Sequence, residues 1–347
     1  MKRSRTFLFI FIFLLITATP AAAVPGKTIP AKAAVVMDSF GTVLYAKYPK
    51  ARLAPASTVK LVTAMVAIDL LRIDDIVRIS EKAGKVRTIP PRLQADEEFA
   101  VIDLLNFTLM KSINQAAVAL AEAAAGSEEN FVVQMNQKAK EIGARDTLFA
   151  NASGLPKGKQ YSTVSDLALI MKAALSYPLI REILAKKTCM VRTAAGREIF
   201  LENSNHLLWE DRTIIIGKTG YTGNARHCFV GAMDTGNGMV ITAVLGARSR
   251  HSLWRAAEML AEIGVHPELA LLLEAPRTGR GSGKAGVKKN KPVMAGVQQE
   301  LIVQDFQKAR MLRGFSQQLN NNEMCQILPV DWLSYVKPSR AYCKQYL

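Results

Sequence analysis

The 347-residue chain is 49% hydrophobic and has 45 basic against 29 acidic side chains, a formal charge of +16. That length and apolar content exclude a disordered chain and predict one large globular domain or two small ones. The chain has no zinc-finger, RNP or basic-helix pattern, and the basic excess gathers towards the two ends, so nucleic acid is excluded as a partner.

The first 26 residues run from Lys2, Arg3 and Arg5 through an apolar block, Phe7 to Ile16, to Ala21-Ala22-Ala23. They read as a secretory signal over 1–23. The competing reading is a retained anchor, but this block is far shorter than the roughly 20 residues that span a bilayer. Export implies a periplasmic or cell-envelope protein, soluble or membrane-peripheral.

Two β-rich runs around Ser39-Phe40-Gly41 predict an N-terminal hairpin, and a helical stretch starts at Ser57. A mostly helical middle follows: Val101 to Lys111, Asn114 to Ala124, a segment opened by Ser127 and closed by Gly143, and another opened near Ser162. "TCMVRT", "REIFLEN", "TIIIGKTG", "HCFVGAMD" and "MVITAVLGA" are short β-branched runs, the last two joined by the turn "DTGNG". The helix "SLWRAAEMLAEIG" ends a body that spans residues 27–275. Strands at both ends of the body with helices between them imply one sheet and a helical insertion. This is an α+β fold, because a doubly wound sheet needs regular alternation.

Residues 276–292 hold six basic residues, no acidic ones and many glycines, and read as a flexible linker. The tail, 293–347, contains one amphipathic pattern: Leu301, Ile302, Phe306, Ala309, Leu312, Phe315 and Leu319. A helix docked on the body or poorly ordered is the first reading, and a membrane-surface anchor the second. The basic tail suits anionic wall polymers or lipid head groups as peripheral partners. Export permits disulfides among Cys189, Cys228, Cys325 and Cys343 in any of three connectivities, although Cys228 sits in an apolar run and reads as a buried thiol. No cysteine pair has zinc spacing and the histidines form no HExxH, so neither metal nor cofactor is expected.

Ser57 and Lys60 stand three residues apart at a helix start. There the free N–H groups and the dipole favour negative charge, and Lys60 returns to the same face. Leu61, Ala64 and Met65 would desolvate that lysine and make it a base. The competing reading is a capping serine beside a solvated lysine. A second such pair, Ser334 and Lys337, precedes Pro338 with no apolar helix after it and reads as accidental. Two further features favour chemistry at the first pair. Ser112 and Asn114 lie at a join of two helices, and Lys218-Thr219-Gly220 follows a late strand where glycine admits a substrate backbone. This ordered trio is that of penicillin-binding proteins and class A β-lactamases.

On these motifs, and on "DLLNFTLMKSINQAAVALAE", "FANASGLPKGKQYSTVSDLALIM", "NSNHLL" and "IGKTGYTGNARHCFVGA", the chain resembles the serine D-alanyl-D-alanine carboxypeptidases, the low-molecular-mass penicillin-binding proteins, over roughly Ala33 to Gly264. The resemblance implies a five-stranded antiparallel sheet flanked by helices, a largely helical inserted region and a cleft between them. It implies Ser57 as nucleophile, Lys60 as base with Lys218 beside it, Ser112 as proton relay, Asn114 on the substrate amide, and the N–H groups of Ser57 and Tyr221 as oxyanion hole. Lys218, Thr219 and Thr222 would receive the terminal carboxylate, with Gly220 between them and the tyrosine.

The chain departs from the pattern at Ile113 and Gln115, where the family often has glycine and aspartate, and at Ser153, where it often has histidine. The arginine expected after the last strand has three candidates, Arg248, Arg250 and Arg255, and the usual C-terminal β-rich domain is replaced by the linker and tail. The expected activity is removal of the terminal D-alanine from peptidoglycan stem pentapeptides, with β-lactam antibiotics as inhibitors. The alternatives are endopeptidase action on cross-links, a β-lactamase, which would need a Glu-x-x-Leu-Asn stretch absent between Asn114 and Lys218, and a non-catalytic envelope-binding protein.

Overall fold

Side chains along the first strand alternate between two apolar cores, and that alternation sets the layering. In β1 (Ala33–Asp38), Ala33, Val35 and Met37 enter one core while Ala34 and Val36 enter the other. The computed structural model describes residues 28–273 apart from 194, 210–214 and 236–237. The predicted leader 1–23, linker 276–292, tail 293–347, tail helix, Cys325 and Cys343 lie outside the described residues.

In chain order, β1 and β2 (Val43–Lys47) lead through a short turn to α1 (Lys60–Leu70). The elements β3 (Ile76–Arg78), α2 (Glu81–Gly84), β4 (Glu98–Ala100), α3 (Val101–Asn106), α4 (Asn114–Ala125), α5 (Glu128–Ile142), α6 (Val164–Ala174) and α7 (Pro178–Ala185) follow. The body closes with β5 (Thr188–Arg192), β6 (Glu198–Glu202), β7 (Ile215–Thr222), β8 (Arg226–Asp234), β9 (Met239–Ala247) and α8 (Arg250–Val265). The five-stranded antiparallel sheet runs β2-β1-β9-β8-β7, so both ends of the body build it, as expected.

One face of the sheet is covered by α8 through Leu253, Ala256, Ala257 and Leu260. The other meets the helical region, whose axis is α1. Every residue of α1 from Lys60 to Ala67 is buried, the pattern of a helix packed on all sides. Helix α5 starts and stops at its predicted signals: the Ser127 hydroxyl accepts from Asn130 N at 3.1 Å, and Gly143 ends it at φ 89°. The cap of α6 is Thr163, one residue beyond the predicted Ser162.

Two expectations are corrected. The predicted helix from Val101 to Lys111 is α-helical only to Asn106. Phe107–Lys111 then widens into a π turn that ends with Ser112 left-handed at φ 65°. The runs at 188 and 198 pair only with each other as a separate two-stranded ribbon, because their alternation buries one face without specifying which sheet they join. Among the described residues no helix is long and apolar enough to cross a membrane.

Candidate active site

The lysine of the first motif begins α1, whereas Ser57 lies one turn earlier, inside the 3-10 turn Ala56–Val59. Ser57 is therefore not the α-helix cap of the competing reading; Val59 occupies the cap position and makes no side-chain bond. Ala56 is buried in a left-handed conformation, φ 50°, a strain that persists only where the surroundings impose it. Two glycines make room for the turn. A Cβ on Gly154 would lie 2.1 Å from the Ala56 carbonyl oxygen, and one on Gly220 would lie 2.9 Å from Ser57 N and 3.2 Å from Pro55 O. What approaches Gly220 is thus the serine's own turn.

Gly154 is also at φ 81°, so Gly154→Ala combines a backbone clash with a disfavoured conformation. It is expected to destabilise the protein by about 2–4 kcal/mol, read as the midpoint of urea unfolding.

The Lys60 side chain is fully buried. Its Nζ lies 3.1 Å from Ser57 Oγ and 2.6 Å from Asn114 Oδ1, and it donates to the Ser153 carbonyl. Burial, and then the positive charge of Lys218, hold its pKa well below the ordinary lysine value. A neutral amine has two N–H groups and one lone pair. Two of the three partners, the Asn114 and Ser153 oxygens, can only accept, so they take the N–H groups and turn the lone pair towards the Ser57 hydroxyl.

The loop that supplies the Ser153 carbonyl is itself held by buried polar groups. Asn151 Oδ1 accepts from Gly154 N at 2.6 Å and from Ser153 Oγ at 3.2 Å, and Asn151 Nδ2 donates to Leu155 O at 2.7 Å. Glu128 accepts from Ala152 N at 3.0 Å, and the Thr63 hydroxyl donates to Ala152 O at 2.7 Å. In the sequence this stretch carries the family resemblance and a serine where the family often has histidine, but not the backbone contact itself. Its contribution to Lys60 is a backbone oxygen, which any residue type supplies.

Ser112 is itself the left-handed bend, and Asn114 opens the helix two residues beyond it. Asn114 reaches Lys60, while the Ser112 hydroxyl forms no hydrogen bond among the described residues. The two departures beside them point away from the cleft. Ile113 is fully buried in the larger core, and Gln115 accepts from Leu93 N at 2.8 Å and donates to Gly84 O.

On β7, Lys218 is fully buried, its Nζ donates to Thr219 O at 3.0 Å, and burial lowers its pKa to about 7. The Thr219 hydroxyl meets Ser204 Oγ at 2.8 Å, and Ser204 N donates to Met110 O, a tie between β7 and the π turn that "NSNHLL" did not disclose. Tyr221 is exposed and stacks on His227, with ring centroids 4.5 Å apart. Thr222 Oγ1 accepts from Ala225 N at 3.0 Å, which leaves its own O–H to donate. Arg248, Arg250 and Arg255 are all exposed. Burial, and then the charges of Arg250 and Arg226, lower the pKa of His227, so of the three candidates Arg250 is the one coupled to the Tyr221 end of β7. Cys189 and Cys228 are free thiols, and burial pushes that of Cys228 up to about 12.

A buried, deprotonatable lysine against a serine, between a sheet edge and a helical region, is the equipment of a serine acyl-transfer enzyme. Residues 18–249 match the family model described as D-alanyl-D-alanine carboxypeptidase, peptidase S11, and the chain belongs to that family. It is 36% identical over 223 residues to a D-alanyl-D-alanine carboxypeptidase of Bacillus subtilis, covering 62% of this chain and 57% of that relative. It is 30% identical over 232 residues to a D-alanyl-D-alanine endopeptidase of Escherichia coli, covering 65% of this chain and 74% of that relative. Among solved structures it is similar to the Streptomyces K15 DD-transpeptidase, with TM-score 0.65 and 27% identity over 70% of this chain and 100% of that one.

Proposed function

We propose that the protein is a serine DD-carboxypeptidase that removes the terminal D-alanine from peptidoglycan stem pentapeptides through an acyl-enzyme on Ser57. The observation that carries this reading is the fully buried Lys60 amine, whose Nζ lies 3.1 Å from Ser57 Oγ and against two oxygens that can only accept. As Ser57 Oγ attacks the carbonyl carbon of the penultimate D-alanine, its proton passes to Lys60 Nζ. The oxyanion lies between the N–H groups of Ser57 and Tyr221, which Gly220 keeps close together. The C–N bond then breaks, and Ser112 passes the Lys60 proton to the leaving amine. Water attacks the ester carbonyl and loses a proton to Lys60, which returns it to Ser57 Oγ as the ester C–O bond breaks and the tetrapeptide leaves.

Asn114 holds the amide on the acyl side. Lys218, Thr219 and Thr222 receive the terminal carboxylate, with Arg250 at the far end of β7. Since Lys218 titrates near 7, an arriving carboxylate favours its protonated form. Residues 27–275 carry this domain, 1–23 serve as an export signal, and the basic residues of 276–347 contact anionic wall polymer or membrane.

Endopeptidase action on cross-links uses the same acylation, and the Escherichia coli relative named an endopeptidase favours keeping it as the second reading. The test is intact-protein mass after brief exposure to penicillin, followed over hours. A persistent adduct supports the proposal, an adduct that vanishes in seconds makes the protein a β-lactamase, and none at all with intact penicillin makes it a binding protein.

A further inference from the structure

Arg87 borders the site and takes no part in the chemistry above. Its carbonyl accepts from Asn114 Nδ2 at 2.8 Å, and the Thr88 hydroxyl accepts from Asn114 N at 3.0 Å, so this segment forms the wall beside Asn114. The Arg87 guanidinium is exposed and forms no ion pair or hydrogen bond among the described residues. Lys111, half-buried immediately before Ser112, is equally without a partner among them. From Lys82 to Ala95 the chain has four basic residues and no acidic one; Lys82 and Lys85 are paired, with Glu129 and Glu81. Unneutralised cations along one wall of a cleft hold a positive potential there, and a guanidinium binds carboxylates in a fork.

Asn114 stands on the acyl side of the scissile bond, so a group meeting Arg87 belongs to the peptide N-terminal to the D-alanyl pair. In a stem peptide that part carries free carboxylates: the α-carboxylate of the γ-linked glutamate and, where the third residue is diaminopimelate, its side-chain carboxylate. We propose that Arg87 provides a subsite for one of these carboxylates and so selects anionic stem peptides over amidated ones. This rests on the DD-peptidase reading.

The experiment compares kcat/KM for D-alanine release from three pentapeptides: both carboxylates free, the glutamate amidated, and the diaminopimelate amidated. It uses full-length protein with Arg87→Gln and Arg87→Lys alongside. Wild type is expected to prefer the free peptide by about five- to tenfold over one amidated form, which identifies the carboxylate, and the preference should shrink in about 0.5 M NaCl. Arg87→Gln should bring that ratio close to one, and Arg87→Lys should restore most of it. An unchanged ratio in Arg87→Gln, or an equal loss on all three peptides, overturns the subsite, the latter marking a side chain that merely supports the wall. A wild-type penicillin adduct with a flat peptide ratio sinks the subsite alone. No adduct and no D-alanine release by wild type sinks the DD-peptidase reading and the subsite with it.

Discussion

Ser57→Ala is expected to abolish the penicillin adduct and to lower D-alanine release by roughly 10^4- to 10^6-fold, with folding intact. The size follows from the loss of the only oxygen that the lysine lone pair faces. Neither neighbouring threonine replaces it, because Thr58 Oγ1 donates to Pro55 O at 2.8 Å and Thr63 Oγ1 to Ala152 O at 2.7 Å, both buried and committed. The methyl group of alanine fits the turn, so a melting temperature close to wild type should accompany the loss. Normal D-alanine release by this variant would require a different nucleophile and end the assignment.

Lys60→Met is expected to slow acylation by about 10^2- to 10^4-fold, the usual worth of a positioned base, while Ser57 stays in place. Methionine preserves volume and burial but has no lone pair for the serine proton. The rate is measured with a chromogenic β-lactam at saturating and limiting concentrations. A variant with wild-type acylation would assign the base elsewhere.

Lys218→Met makes the complementary test. Removing a neighbouring positive charge lets the Lys60 pKa rise, so the acidic limb of the pH–acylation profile should move to higher pH. Stability moves as well. The folded pKa of Lys218, about 7, lies below the unfolded lysine value of 10.5, so the unfolded chain binds more protons between them and wild-type stability rises with pH across that window. At or below pH 7 the variant is relieved of a penalty on the order of a few kcal/mol and should melt higher. That gain should fade as pH approaches 10.5. A variant with the wild-type slope would show that Lys218 keeps its proton on folding.

The parts legible in the sequence were those in which residue type and spacing suffice. The meeting of Ser57 with Lys60 was legible because a three-residue spacing at a helix start brings the two side chains to one face, and β1, β8 and β9 because short β-rich apolar runs between turn signals specify strands. The rest depends on groups with no residue signature. The Ser153 carbonyl is backbone, the room for the Ala56 turn comes from two glycines distant in the chain, and the π turn before Ser112 looks like any other helical run. Three-residue strands such as β3 and β4 are too short for a period to register. The buried network around Asn151 was unreadable because its partners span residues 63 to 155 and are joined only by the fold.

The wedging of the Ser57 turn between Gly154 and β7 makes the nucleophile a property of the assembled domain. Neither the helical region nor the sheet alone presents the serine in its strained setting beside a buried amine. On the proposed mechanism, a chain that has not yet assembled carries Ser57 and Lys60 without the geometry that would make the serine reactive, and it should escape acylation by a β-lactam. The burst amplitude of acylation accordingly counts correctly assembled molecules, which gives a direct titration of native fraction in a partly denatured sample.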